Sequence, residues 1–297
     1  MSNFLLILVC IVGGMMLKRS GLLPENPHKS LNIFIIYLAL PAVSFKYLPY
    51  INWSKELLLP AISPVVVWFG AMIIVSIYAR INRLDKETRG ALFLVAGLSN
   101  TLFVGFPLIM AYFGEQEISI AIILDQLTFI VFSTLGLVAT VQAKGNAVTP
   151  SVIAKKLLRF PPFLGCISAL TIPHFVDISP LSPLFEKLAA TVAPLALFSI
   201  GLQLKFDGWK SELKHLFFAL SYKLLLAPLL ILLLAYVLQI KGRVAQISIF
   251  EMAMPTLLSS SVIAEEYDVN PKLVNLITGI GILLSLITTA FWYWMIR

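Results

Sequence analysis

The chain has 297 residues, of which 59% are hydrophobic and only 12% are charged, and its mean hydropathy is +0.92. Soluble domains carry about 25% charged residues, so this composition excludes an ordinary soluble enzyme or binding module and indicates a polytopic membrane protein. The net charge of +7 comes from basic residues in short stretches between apolar runs. Basic residues in such loops set membrane topology, and we expect no nucleic-acid partner.

Ten apolar runs, bounded by polar clusters, predict ten transmembrane helices. An open strand edge is not viable in lipid, so the expected fold class is an all-α polytopic membrane protein. The predicted spans lie near residues 2–18, 30–49, 57–79, 89–113, 117–142, 160–176, 182–204, 214–238, 243–265 and 272–296.

The distribution of basic residues predicts the orientation of these spans. Most of the 22 lysine and arginine residues lie in the loops that follow the odd-numbered spans. By the positive-inside rule these loops are cytoplasmic, which places both termini outside the cytoplasm. The first run is followed, not preceded, by basic residues and is therefore a span and not a cleavable signal. We expect a multi-pass protein of the cell inner (plasma) membrane.

Prolines recur at matching places in the two halves of the chain. Pro41 in "LALPAVSF" matches Pro194 in "TVAPLALFSIG", and Pro107 in span four matches Pro255 in "MAMPTLLSSSV" of span nine. Single prolines are tolerated in membrane helices, but paired interruptions in corresponding halves indicate an inverted repeat with a binding site. The prediction is a first repeat at 1–142 (spans one to five), a cytoplasmic linker at 143–159 and a second repeat at 160–297 (spans six to ten).

Polar residues surround the prolines of spans four and nine, which predicts two broken helices that cross near the bilayer midplane. Broken helices expose main-chain amides at a partly positive helix end, and this favours anions. Amide and hydroxyl side chains at the breaks suit a carboxylate better than a bare cation. The predicted substrate-binding residues are Asn100, Thr101, Gly105, Pro107, Pro255, Thr256, Ser259 and Ser260.

Three ionisable residues lie well inside predicted spans, away from the span ends, namely Asp125, Lys223 and Glu251. Charges at that depth are expensive and usually pair or face a cavity. With Gln126 they form a candidate ion-coupling or support site, in which Asp125 and Lys223 are expected to pair. The alternatives are a permanent structural salt bridge, a position of Asp125 near the interface, and a structural role for Glu251 as a cap on amides freed by the break.

Two stretches, "LSNTLFVGFPLIMAYFG" at 98–114 and "MPTLLSSSVIAEEY" at 254–267, resemble the fourth- and ninth-span motifs of the auxin efflux carrier family, which includes the plant PIN-FORMED carriers. The compact chain is similar to bacterial and archaeal members. The resemblance implies a fold like that of sodium/proton antiporters and bile acid symporters, with the helices crossing at Pro107 and Pro255. It further implies a scaffold domain of spans one, two, six and seven, a transport domain of spans three to five and eight to ten, elevator-type movement and a homodimer.

The resulting expectation is a secondary active transporter of small organic anions such as malate, malonate or auxin-like acids, whose carboxylate contacts Asn100. Coupling to H⁺ or Na⁺ stays open, and no other cofactor is expected. Ser260 stands where plant members usually have a second proline, so the resemblance does not imply that auxin is the substrate. The alternatives are a carrier-derived sensor and a channel-like anion uniporter.

We expect neither an enzyme nor a metal protein. The chain contains no H-E-x-x-H and no G-x-S-x-G motif. Its three histidines fall near the ends of predicted spans, and Cys10 and Cys166 lie inside apolar runs without metal-ligand spacing.

Overall fold

The computed structural model describes residues 2–143, 149–204 and 212–297. Within these residues the regular secondary structure is helical, apart from one isolated antiparallel bridge, and this confirms the all-α fold class. Part of the predicted linker at 143–159 lies outside the described residues. The same holds for Lys144, Lys205 and Lys210, three of the basic residues on which the predicted orientation depends.

The α-helices are numbered here in chain order. They are α1 (Ser2–Arg19), α2 (His28–Phe34), α3 (Leu40–Tyr47), α4 (Leu58–Ile81), α5 (Lys86–Gly97), α6 (Phe106–Tyr112), α7 (Ile118–Val131), α8 (Leu137–Ala143), α9 (Pro150–Leu158), α10 (Pro161–Thr171), α11 (Ser182–Ala190), α12 (Val192–Gln203), α13 (Leu213–Ser221), α14 (Ala227–Val237), α15 (Gly242–Met252), α16 (Ser259–Glu266) and α17 (Pro271–Ile296).

Several of these helices join into longer helical runs, and six runs in the described part of the chain are long and apolar enough to cross a membrane. They are His28–Tyr50, Lys55–Ile81, Glu115–Ala143, Ser179–Gln203, Leu213–Val237 and Pro271–Ile296. The chain is therefore an integral, multi-pass membrane protein. The other four predicted spans coincide with α1, with α5 and α6, with α10, and with α15 and α16. The ten-span count and the five-plus-five repeat stay predictions.

Three π-helical segments each end two residues before a proline. They are Ile35–Ala39, Thr101–Gly105 and Tyr222–Leu226, which precede Pro41, Pro107 and Pro228. Proline has no amide hydrogen and its ring crowds the carbonyl four residues earlier, so the preceding turn widens. The carbonyl four residues before Pro228 belongs to Leu224, and it accepts a 2.8 Å hydrogen bond from the Trp292 indole instead.

The chain forms two compact units. Unit 1 comprises Met1–Trp53, Leu102–Ile122 and Lys155–Leu204. In this unit α1 packs along α12, and an added Cβ atom on Gly201 would lie 3.1 Å from the Cα atom of Gly14. Two glycines at one crossing let the backbones approach closely, which is a common way for helices to pack in membranes.

Unit 1 also contains a polar connection between α2 and α12. The buried Ser199 hydroxyl donates a 2.6 Å hydrogen bond to Asn32 Oδ1, and Gln203 Nε2 donates to Ser199 Oγ at 3.1 Å. Hydrogen bonds between helices satisfy polar groups for which lipid offers no partner.

Unit 2 comprises Ser54–Thr101, Ile123–Ala154 and Lys205–Arg297. Here α4 packs against α5, α14 and α15, and α17 packs against α5 and α15. The Tyr222 hydroxyl, in the π-helical segment before α14, donates a 2.6 Å hydrogen bond to the Val67 carbonyl of α4. This contact fixes the segment that carries Lys223. The predicted assignment of spans to scaffold and transport domains stays a prediction.

Candidate functional site

Two interrupted helices pair with each other in unit 2. Helix α5 ends at Gly97 and Leu98 is extended, with φ −121° and ψ 129°, while α15 ends at Met252. The residues that follow form the antiparallel bridge between Ser99 and Thr256. The Asn100 amide donates to the Pro255 carbonyl at 2.8 Å, and the amide of residue 257 donates to the carbonyl of residue 98 at 3.2 Å.

Side chains add further contacts to this pairing. The Thr256 hydroxyl is fully buried and donates a 2.8 Å hydrogen bond to the Val95 carbonyl in the last turn of α5, which would otherwise lack a helical partner. At Gly97 an added Cβ atom would lie 2.5 Å from the Trp68 ring of α4. Glycine is therefore required where α5 ends against that ring. The pairing holds main-chain groups of two broken helices in one buried place.

Lys223 brings a buried ammonium to the pairing. Its side chain is fully buried, and Nζ donates to Ser99 Oγ at 2.6 Å and to the Met252 carbonyl at 3.1 Å. The Ser99 hydroxyl in turn points to Met252 Sδ at 3.7 Å. Neutral oxygen partners do not cancel the charge of the Lys223 ammonium, and the protein interior screens charge only weakly. Lys223 therefore supplies positive potential next to Asn100.

Asp125 is held by other partners. It is 6% exposed, and its carboxylate accepts hydrogen bonds from Thr101 Oγ1 at 2.7 Å and from Gln126 Nε2 at 3.3 Å. Lys223 and Asp125 form no ion pair in this structure. Each residue instead makes its hydrogen bonds to neutral groups of the same cluster. The paired arrangement expected from the sequence is thus replaced by two separately held charges, one beside Ser99 and one beside Thr101.

Glu251 is the third ionisable member, one residue before the end of α15. Its side chain is fully buried, and neither carboxyl oxygen accepts a hydrogen bond from the described residues. It interacts electrostatically with both Asp125 and Lys223. The sequence interpretation of Glu251 as a cap on amides freed by the break finds no such contact in this structure.

The remaining predicted substrate residues differ in position. Gly105 and Pro107 belong to unit 1, where Pro107 lies in the first turn of α6. Ser260 in the first turn of α16 is fully buried, and its hydroxyl has no partner among the described residues. Ser259 is exposed. In unit 2 the structure therefore brings together Asn100, Thr101, Pro255 and Thr256 around the bridge.

Two members of the cluster were not predicted as site residues. Ser99 accepts the Lys223 hydrogen bond, and Met252 provides the second acceptor through its main chain. The consecutive polar residues at 99–101 within an apolar run are a usable signal for Ser99, whereas a main-chain acceptor leaves no trace in the sequence. Among the described residues no group of three or more histidine, cysteine, aspartate or glutamate side chains could hold a metal ion.

Comparison with known proteins identifies similar chains along the whole length. A family model described as membrane transport protein matches residues 1–156 and 146–293. The chain is 28% identical to an uncharacterized transporter of Methanocaldococcus jannaschii, over 100% of this chain and 98% of that one. It is 25% identical to a protein of Rhizobium meliloti named as a malonate transporter, over 90% and 86%. It is 21% identical to auxin efflux carrier component 8 of Arabidopsis thaliana, over 90% and 88%.

Proposed function

The chain belongs to the membrane transport protein family, the auxin efflux carrier family that its two motifs resemble, and we propose that it is a secondary transporter of small organic anions. The observation that carries the proposal is the buried Lys223 ammonium at 2.6 Å from Ser99, next to Asn100. A buried cation beside two interrupted helices favours a carboxylate and disfavours a cationic substrate.

The proposed anion site uses three kinds of group. Asn100, which is fully buried, offers a side-chain amide for the substrate carboxylate. The buried Ser260 hydroxyl in the first turn of α16 has no partner among the described residues and offers a second donor to the carboxylate. Lys223 supplies the compensating charge. Thr101 and Thr256 have a structural role in this site, since their hydroxyls already donate hydrogen bonds to Asp125 and to the Val95 carbonyl.

The proposed substrates are small carboxylates. One relative is named as a malonate transporter and another as an auxin efflux carrier component. We propose the same class for this chain, with malonate, malate and indole-3-acetate as the first compounds to test. The proposed mechanism is elevator-type alternating access in a homodimer, driven by an ion gradient, with both termini outside the cytoplasm of the cell inner (plasma) membrane.

The test is uptake of radiolabelled malonate, malate, succinate and indole-3-acetate by purified protein in liposomes, together with Asn100→Ala. Loss of a hydrogen bond to a charged group costs about 1–3 kcal/mol, so the variant is expected to bind the transported anion roughly 5- to 150-fold more weakly. Asn275→Ala is the matched control, because Asn275 also lies in unit 2 but bonds to Glu265 at the exposed end of α16.

Each outcome has a distinct meaning. Saturable uptake that Asn100→Ala weakens and Asn275→Ala leaves intact supports a carrier with a carboxylate at Asn100. Unchanged affinity in a folded Asn100→Ala protein removes that residue from the site. Anion binding without flux points to a sensor, and unsaturable flux at very high rates points to a channel-like uniporter. No binding of any of the four anions contradicts the proposed substrate class.

A further inference from the structure

Glu251 has a buried carboxyl group that no hydrogen bond of the described residues stabilises. The side chain is 0% exposed, and both oxygens are without a donor. An ionised carboxylate in an apolar interior is costly unless donors or a paired cation compensate it. Lys223 acts on Glu251 electrostatically, but its ammonium makes its hydrogen bonds to Ser99 and Met252 instead.

The neighbouring Asp125 shows the opposite arrangement. Its two oxygens accept hydrogen bonds from the Thr101 hydroxyl and the Gln126 amide, so the polar atoms of this carboxyl group have partners that those of Glu251 lack. One lysine ammonium and one ionised aspartate in the same cluster together carry no net charge. A second ionised carboxylate in the same buried cluster would leave it with a net negative charge.

The other helices that pack against α15 add no further charge to this balance. These are α4, α14 and α17, together with the short turn Lys55–Leu57. Both charged residues of that turn, Lys55 and Glu56, are exposed. The ionisable residues of the three helices stand near helix ends and are Tyr78, Arg80, Tyr236, Lys272 and Tyr293. The charged groups that act on Glu251 are Asp125 and Lys223.

We infer that Glu251 carries a proton in this conformation and is the residue through which proton binding is coupled to anion binding. The inference rests on the proposed function and specifies its driving ion. Loss of the proton from the Glu251 carboxyl to water leaves a carboxylate that repels a substrate anion held beside Lys223. Linkage is reciprocal, so anion binding favours protonation to the same degree, and proton and anion move together as symported partners.

A proton suits this site better than sodium. Sodium needs several oxygen ligands arranged around it. The Lys223 ammonium already places one positive charge in the cluster and opposes a second cation. A proton needs one carboxyl oxygen and adds no volume.

The first experiment reads the proton directly and does not depend on transport. Infrared spectra of the purified protein are compared with those of Glu251→Gln, which keeps the shape of the protonated acid. The wild type is expected to show the carbonyl stretch of a protonated carboxylic acid at neutral pH, and Glu251→Gln is expected to lose it. Glu115→Gln is the matched control, because Glu115 is exposed and pairs with Lys46. Retention of the band in Glu251→Gln, or its absence in the wild type, overturns the inference.

The second experiment measures anion affinity against pH in the same three proteins. One linked proton makes the wild-type affinity fall by about tenfold per pH unit above the titration of Glu251, and Glu251→Gln is expected to remove that slope while Glu115→Gln keeps it. A slope that persists in Glu251→Gln overturns the coupling role and leaves the carboxylate transporter intact. If no anion binds, the proposed function fails, and the infrared result still decides whether Glu251 holds a proton.

Discussion

Lys223 donates a hydrogen bond of 2.6 Å from its buried ammonium to the hydroxyl of Ser99, a residue 124 positions earlier in the chain. The same nitrogen bonds to the main chain of Met252 at the end of α15. One side chain therefore connects the non-helical segment that follows α5 to the last residue of α15. The Lys223 ammonium therefore both stabilises the two helix breaks and places a positive charge where we propose that the anion binds.

Lys223→Met is expected to destabilise the protein strongly. Methionine fills a similar volume, but it leaves the buried Asp125 carboxylate in a cluster without a positive charge, and an uncompensated buried charge costs about 3–5 kcal/mol. The double variant Lys223→Met/Asp125→Asn removes both charges and is expected to regain most of this loss. Thermal unfolding of the detergent-solubilised variants measures both effects.

Lys46→Met is the matched control for that cycle. Lys46 pairs with Glu115 at 3.2 Å, and the lysine and glutamate side chains are 22% and 64% exposed. Exposed pairs contribute about 0–1 kcal/mol, so this variant should unfold near the wild-type temperature. An equal loss in Lys46→Met and Lys223→Met, or a double variant no more stable than Lys223→Met, would contradict the buried charge balance.

Much of the fold follows from local sequence signals. Hydropathy predicts the helical runs, because a span needs about 20 apolar residues. Prolines predict places where helical hydrogen bonding changes, and Pro41, Pro107 and Pro228 each follow a widened turn. The break of span four is different. It follows Gly97, where the Trp68 ring of α4 leaves no room for a Cβ atom, and Pro107 lies in a helix start that tolerates proline.

The contacts of the candidate site do not follow from local signals. Asn100, Asp125 and Lys223 stand out because polar residues are rare in apolar runs. Their partners depend on which segments meet in space, and the bridge between Ser99 and Thr256 joins residues more than half the chain apart. Opposite charges well inside two spans of one predicted domain favour an ion pair between Asp125 and Lys223. In the structure, Asp125 and Lys223 instead form hydrogen bonds with nearby hydroxyl and main-chain groups.

Gly14→Ala is expected to destabilise the contact between α1 and α12. An added Cβ atom at Gly14 would lie 2.5 Å from the Phe198 main-chain oxygen, and a backbone atom cannot yield as a flexible side chain does. Overpacking of this kind costs about 1–3 kcal/mol. Thermal unfolding of the purified protein measures the loss.

Gly13→Ala provides the matched control, since an added Cβ atom there meets nothing within 4 Å. The two variants make the same chemical change at adjacent positions of one helix. Alanine favours helix over glycine by up to about 1 kcal/mol, so Gly13→Ala should be neutral or slightly stabilising. Similar destabilisation in both variants would show that the α1 backbone, and not the crossing, determines the effect.

Asp85 caps the N-terminus of α5, and its contribution to stability is expected to depend on pH. Its carboxylate accepts the Thr88 amide at 2.6 Å and the Thr88 hydroxyl at 3.1 Å. The hydrogen bond from the Thr88 main chain lowers the pKa of Asp85 below its usual value. Asp85→Ala removes the cap and should lower the free energy of unfolding by about 0.5–2 kcal/mol at neutral pH.

The direction of the pH effect follows from the lowered pKa of the folded state. The charged form of Asp85 stabilises the fold fully above the pKa of the unfolded chain, and this stabilisation is lost as the pH falls through the lower pKa of the folded protein. Unfolding curves of the wild type and Asp85→Asn, recorded from pH 7 downward, test this. Asparagine also caps helices but does not titrate, so the wild type should lose its advantage over Asp85→Asn in acid. A difference between the two proteins that stays constant down to the acid limit would show that charge plays no part in the cap.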